Sequence, residues 1–424
     1  MPSSITPPTH AVSSHACTTP IQYTASMVTP VLQTDIAIIG GGVAGLWALN
    51  LLRQRGYSTL LFEHRALGSD QTIASQGIIH GGIKYALDGA LNTGSRTIAA
   101  MPAAWRRCLD GKGDIDLRGC KVLSEDFYLW SSDQPGARLN SFLASKLLRG
   151  RVAAVTAADH PPPLRHSNFR GHVYKLNELV LDVPSLLEAL AEPHREAIFS
   201  IDWGVASLQL QQAKATLVLP QCTVEAQCLL FCAGAGNESL LQQLGASGPA
   251  MQRRPLQQVL VKHQYREPFY AHCMGNRPSP RLTVSSHLTR AGEPVWYLGG
   301  DLATAGSAAD PQQLIARARE ELQQLLPWLE LGQCDWRSIS LDRAEPRQAS
   351  LLRPDSAYVG SATGVDNALV AWPTKLTLCP QMGAAIEKQL QRRQILPKYQ
   401  PDLSGLAGME RPVAATPLWD ALFP

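Results

Sequence analysis

The segment Thr34–Glu63, TDIAIIGGGVAGLWALNLLRQRGYSTLLFE, constrains this chain more than any other. Asp35 precedes four apolar residues, Ile36–Ile39, which read as a short buried strand. The turn Gly40-Gly41-Gly42-Val43-Ala44-Gly45 then has the form G-x-G-x-x-G and leads into an apolar helix, Leu46–Arg55. Gly56 ends that helix, and Ser58–Phe62 reads as a second strand closing on Glu63. Each glycine in such a β–α–β unit has its own task. Gly40 permits the tight turn, Gly42 lets a pyrophosphate approach the backbone, and Gly45 lets helix and strand pack closely. The helix N-terminus supplies N–H groups and the positive end of a dipole. Glu63 follows at close to the ~20-residue spacing of an acid that holds a ribose hydroxyl, with His64 beside it. The segment therefore reads as a dinucleotide site.

A chain of 424 residues is long enough for two large domains or one interleaved pair. Its 45% hydrophobic content supports an ample core, and a net charge of +3 implies no nucleic-acid or polyacidic partner. The nine cysteines include no C-x-x-C. Cys228 and Cys232, four apart in a strand-like run, suit neither a zinc site nor a disulfide framework. Buried free thiols in a reducing cytosol are expected, hence a cytoplasmic location. Residues 1–33 contain no Asp, Glu, Lys or Arg and are rich in Ser, Thr and Pro. They lack the features of a secretory signal or transit peptide and read as a disordered extension. Met27, opening MVTPVLQTD, is a second candidate start. No apolar run approaches the roughly 18 residues of a membrane span.

After Glu63, a polar loop leads to Ser75-Gln76-Gly77-Ile78-Ile79-His80-Gly81-Gly82-Ile83-Lys84-Tyr85. Paired glycines beside His, Lys and Tyr suit backbone packed against a flat ligand, or an ordinary loop. Leu91–Cys108 reads as a helix containing Pro102, and Arg138–Arg151 as a basic amphipathic helix packed on a sheet. Peripheral membrane contact by that helix is conceivable but not indicated. Asp182 is placed to cap a helix with Pro184 in its first turn. The apolar strand Gln227–Cys232 ends in Ala233-Gly234, where small residues permit close approach of a cofactor or another backbone. Cys120–Trp130, Gly171–Val183, Leu256–Gln264, Arg281–His287 and Val295–Gly300 suggest an antiparallel sheet. Trp336–Leu341 reads as a strand ended by Asp342–Arg347. Pro380 opens a helix reaching about Arg392, and the remainder reads as a surface tail.

With these pieces in order, the chain resembles the FAD-dependent oxidoreductase superfamily of D-amino-acid oxidase, glycine oxidase, L-2-hydroxyglutarate dehydrogenase and glycerol-3-phosphate dehydrogenase. The likeness spans roughly Thr34–Arg392. It rests on Gly40–Gly45 with Glu63, on Ser75–Tyr85, on Phe231–Asn237, and on Asp342–Arg392 with its R-P-D and L-T-L-C-P-Q-M-G segments. SQGIIHGGIKY is similar to the H-G-G-L-R-Y segment of the glycerol-phosphate enzymes and to S-G-V-I-H-A-G-I-Y-Y of the hydroxyglutarate enzymes. Lys84 departs from both, replacing Arg in one and Tyr in the other.

The resemblance implies an α/β protein, α+β overall. A Rossmann-like FAD-binding domain (34–105, 182–250 and 342–395) would interleave with an antiparallel-sheet substrate domain (106–181 and 251–341), between an extension (1–33) and a tail (396–424). It implies FAD contacted by Gly40, Gly42, Val43, Ala44, Gly45, Glu63, His64, Ser75, Gly77, Ile79, Gly81, Gly82, Ala233, Gly234, Lys375, Leu376 and Thr377. The dimethylbenzene–pyrazine portion would lie near His80–Ile83, and the pyrimidine edge near Trp372–Thr377. Lys375 would stabilise negative charge at flavin N1–O2. An anionic small-molecule substrate would sit between Lys84 and Arg343, with Arg347 and Arg353 competing for that role and Glu345 or Asp355 offering Arg343 a structural ion pair instead. Tyr85 would donate a hydrogen bond, and His80 would serve as base or, alternatively, as a covalent flavin link. The electron acceptor would be oxygen, a quinone or a carrier protein. No metal is expected. Three readings stand: oxidation of CH–OH in a 2-hydroxy acid or polyol phosphate, oxidation of CH–NH in an amino acid or amine, and an electron carrier or assembly protein without its own substrate.

Overall fold

The computed structural model describes residues 30–82, 93–132, 152–275, 279–305, 310–348, 355–400 and 402–424. Residues 1–29, Ile83, Lys84, Tyr85, the helix expected over Arg138–Arg151, and Arg353 lie outside them. The opening unit forms as its sequence requires. Strand β1 (Val31–Ile39) runs into helix α1 (Val43–Gln54), and β2 (Thr59–Glu63) lies parallel to β1 with Ile36 opposite Thr59 and Ile39 opposite Phe62. The strand begins at Val31, inside the segment expected to be disordered, because Val31–Gln33 pair with Thr223–Glu225. Every residue of α1 from Val43 to Leu52 is buried, as an apolar helix between a sheet and other helices must be. Gly383 permits one of those contacts: a Cβ there would stand 2.8 Å from Leu51 Cδ2 and 3.0 Å from Trp47 Nε1.

Among the described residues, two sheets of eight strands organise the fold. In the first, Ile198–Ser200, β2, β1, Thr223–Phe231 and Ala368–Trp372 lie parallel, with antiparallel strands added at one side. These parallel strands are near-continuous apolar runs, as burial on both faces demands. The second sheet is antiparallel except where Phe127–Ser131 runs parallel to Ala271–Met274. Its longest pair joins Met251–Lys262 to Asp335–Pro346 in unbroken register. That register carries the strand past its expected end at Leu341 and sets Arg343 opposite Arg254 within the sheet. A smaller sheet of Ile78–Ile79, Leu179–Leu181 and Val122–Ser124 completes the set. Asp182 caps the helix Val183–Ala191 by accepting from the Ser185 N–H at 3.1 Å, as expected.

The C-terminal segment corrects the surface-tail expectation. Its chain hydrogen-bonds to Leu67 and Ser200, and Leu406, Trp419 and Phe423 are buried. Trp419 stacks on His287 at 4.0 Å and joins Leu260, Val295 and Tyr297 in a core of its own. Two large aromatics among Pro, Gly and Ala are enough to anchor such a segment by burial. Among the described residues, no helix is long and apolar enough to cross a membrane.

Candidate active site

The carboxyl ends of the parallel strands converge on one cleft, a cavity of about 450 Å³, where open α/β sheets place their ligands. Gly40 leaves β1 with φ +111°, and a Cβ there would meet the Ala233 backbone at 2.7 Å. A Cβ on Gly45 would stand 1.9 Å from the Gly40 carbonyl oxygen. The turn is therefore held tight against the end of Thr223–Phe231, and neither position tolerates a side chain. Gly42 is the N-cap of α1 and contributes no capping side chain, and the first turn contains no acidic residue. Val43 N–H donates to Thr72 Oγ1 at 3.1 Å. Glu63 is buried; its carboxylate accepts from the Gly41 N–H at 2.6 Å and the Arg65 N–H at 2.8 Å, with His64 Nδ1 3.2 Å away. On the other side, Asn237 Oδ1 accepts from the Ala233 N–H at 2.8 Å, and Trp372 Nε1 donates to the Gly234 carbonyl at 3.0 Å.

At the far end, several segments meet. The His80 N–H donates to Thr377 Oγ1 at 3.0 Å, and the Thr377 carbonyl accepts from Trp105 Nε1 at 2.9 Å. Thr374, just ahead, holds φ +60°. A β-branched residue is strained in that region, so the turn carrying Lys375 past the cleft is fixed by its surroundings. Glu178 lies in the turn between His172–Leu176 and Leu179–Leu181. One carboxylate oxygen accepts from the Gly81 N–H at 2.8 Å, and the other lies 3.4 Å from His80 Nδ1. Burial opposes ionisation of Glu178, but the nearby His80, the charge of His272 and the Gly81 N–H outweigh it, holding the carboxyl below its ordinary value. His272, from Ala271–Met274, lies nearly parallel to His80, ring centroids 5.8 Å apart, and its Nδ1 is 2.8 Å from Thr283 Oγ1.

Most of the expected site residues border this cleft: Gly40, Gly42, Val43, Ala44, Glu63, His64, Ser75, Gly77, His80, Gly82, Ala233, Gly234, Arg343, Lys375, Leu376 and Thr377. Gly45 and Gly81 act one step behind it, through close packing and through the bond to Glu178. Ile79 does not border the cleft. It is fully buried, because it pairs with Leu179 in the small sheet. Arg343 borders the cleft whereas Arg347 is exposed away from it. Glu345, the acid expected to compete for Arg343, is bonded by Arg254 and by Gln252 Nε2. Glu178, His272 and Thr72 do not stand out in the sequence. For Glu178 a signal exists: Asn177-Glu178 interrupts the β-like run Gly171–Val183.

These residues fit a dinucleotide cofactor. The glycine turn and the helix start beyond Val43 offer backbone donors, and Ser75 Oγ is a buried polar atom with no partner in the cleft. The fold and the cleft together define a two-sheet protein that holds a dinucleotide cofactor at the ends of its parallel strands. Residues 35–371 match the family described as FAD dependent oxidoreductase (DAO). The chain belongs to that family; it is an oxidoreductase, and FAD is its cofactor. It is 47% identical over 393 residues to the probable FAD-dependent oxidoreductase PA4991 of Pseudomonas aeruginosa, covering 92% of this chain and 99% of that one. The crystal structure of PA4991 superposes with a TM-score of 0.81 at 42% identity, covering 93% of this chain and 99% of that chain. Glycine oxidase from Geobacillus kaustophilus shares the fold at a TM-score of 0.61 and 17% identity, covering 88% of this chain and 97% of its own. Iminodiacetate oxidase from Chelativorans sp. BNC1 does so at 0.61 and 14%, covering 87% and 97%.

Proposed function

We propose that this oxidoreductase oxidises a C–H bond bearing a hydroxyl group in a small anionic substrate, a 2-hydroxy acid or a polyol phosphate. In this reading residues 34–105, 182–250 and 342–395 hold the cofactor, and residues 106–181 and 251–341 carry the substrate side. The amides of Gly42, Ala44 and Gly45 take the pyrophosphate, Glu63 the ribose hydroxyl, and Gly82, Lys375, Leu376 and Thr377 border the ring system. FAD, when bound, supplies a hydride acceptor at flavin N5.

The observation that carries the reading is the His80–Glu178 pair at 3.4 Å, with the carboxylate anchored by the Gly81 N–H. A neutral amine assists hydride loss with its nitrogen lone pair and needs no further deprotonation, whereas an alcohol must give up its O–H proton as the hydride leaves. A base therefore matters more for a hydroxy acid than for an amino acid. His80 takes the substrate proton at Nε2, while Glu178 faces Nδ1 and stabilises the resulting imidazolium. Arg343 orients the substrate's anionic group through its planar fork of donors, and Lys375 holds negative charge at the pyrimidine edge.

A second reading, oxidation of CH–NH, is supported by the names of the structural neighbours, glycine oxidase and iminodiacetate oxidase. Anaerobic mixing of the FAD-loaded protein with panels of hydroxy acids, polyol phosphates and amino acids tests both. Bleaching of the flavin by a hydroxy acid or polyol phosphate is expected. Bleaching by amino acids alone would replace the first reading with the second.

A further inference from the structure

The geometry points to a site for one zinc-type divalent cation, held by His80, Glu178 and His272. One ring nitrogen of each imidazole and a Glu178 carboxylate oxygen lie within 4.8 Å of one another. The His80 Nδ1–Glu178 Oε2 separation of 3.4 Å is long for a charge-assisted hydrogen bond, which closes to about 2.7–2.9 Å. It matches the spacing of two donors on one tetrahedral ion, because bonds of about 2.0–2.2 Å place neighbouring ligands about 3.3–3.5 Å apart.

The burial of the carboxylate adds to that spacing. Glu178 Oε2 lies on a side chain only 3% exposed, and its contact with His80 Nδ1 does not close into a hydrogen bond. A buried carboxylate oxygen is costly to leave in that condition. The supporting contacts are also those of metal ligands. Glu178 Oε1 accepts from the Gly81 N–H at 2.8 Å, and His272 Nδ1 meets Thr283 Oγ1 at 2.8 Å. The Thr283 contact assigns the ligand role on His272 to Nε2, as an outer partner does at metal-bound histidines. Two imidazoles and one carboxylate suit zinc and its first-row neighbours and leave a position for water.

Binding has a consequence that rests on the proposed role of His80 as base. With Nδ1 on the ion, Nε2 carries the hydrogen and cannot take a substrate proton, so the cation inhibits.

The test uses the full-length, FAD-loaded protein stripped of metal with a chelator. Zn²⁺ is titrated calorimetrically, and bound zinc is counted by elemental analysis. One saturable equivalent is expected, weakened at least tenfold in Glu178→Gln and in His272→Ala. Thr283→Val keeps all three ligands and should weaken binding about tenfold by releasing the His272 ring. Flavin absorbance and circular dichroism establish that each variant is folded. Absence of a saturable equivalent, or wild-type affinity in folded variants, overturns the site. Stoichiometric binding that leaves anaerobic flavin reduction untouched supports the site and counts against His80 as the base, so the two readings fail separately.

Discussion

The two ends of the cleft are built on different principles. The end beside β1 is made of backbone: Gly40, Gly42 and Gly45 act by what they lack, and a Cβ at Gly40 or Gly45 would strike main-chain atoms. The end beside His80 is made of side chains, gathered from residues far apart in the chain and tied by contacts such as His80 to Thr377, Gly81 to Glu178 and His272 to Thr283. A backbone site fails as a whole when one atom is added, whereas a side-chain site loses function in graded steps.

The sharpest break should come at the backbone end. Gly40→Ala sets a Cβ 2.7 Å from three main-chain atoms of Cys232 and Ala233 at a φ of +111°, and neither strand end can yield. The variant should purify without flavin, read as loss of the yellow absorbance per protein. A full complement of flavin would show that the cradle is not where the cofactor's phosphates rest. At the other end, His80→Asn should retain flavin and lose about 10²–10⁴-fold in the anaerobic reduction rate, the range for a general base. A loss that disappears at alkaline pH would instead favour an amine substrate that enters already deprotonated.

Glu178→Gln sharpens the contrast by separating charge from shape. Its effect on reduction should be smaller, about 10–100-fold, since His80 stays in place but loses the carboxylate that stabilises its charged form. It also makes a stability prediction. The folded carboxyl is held below its ordinary value, so its contribution is fully present above the unfolded pKa of about 4.3 and is lost as pH falls through the lower folded value. The wild type's advantage over Glu178→Gln in urea midpoint should shrink as pH falls below about 4. An advantage that grows with acidity would reverse the assignment.

The same contrast explains what the sequence disclosed. The cradle lies within one stretch of chain, where period, glycine spacing and the acid at the next strand end are all local signals. The antiparallel sheet was also legible, because its strands alternate or run apolar between turns. Glu178 and His272 were not, since each is ordinary in its own segment and acquires meaning only when the small sheet sets Ile78–Ile79 beside Leu179–Leu181. The C-terminal segment was misread for a related reason. Its composition suggests a tail, but two aromatics buried against Leu260 and Tyr297 decide its place.

The smallest effect should come from Thr377→Val, which changes neither charge nor volume much. Thr377 Oγ1 accepts from the His80 N–H at 3.0 Å and reaches the Ile78 carbonyl at 3.4 Å. Valine leaves that half-buried N–H without its acceptor, at a cost of about 1–3 kcal/mol in stability. The imidazole keeps Glu178 and His272 as neighbours, so the reduction rate should fall only a few-fold and flavin content should not change. If the rate falls as far as in His80→Asn, the backbone at His80 is what sets the base in place. The side-chain end would then share the all-or-nothing character of the glycine turn, and the distinction between the two ends would not hold.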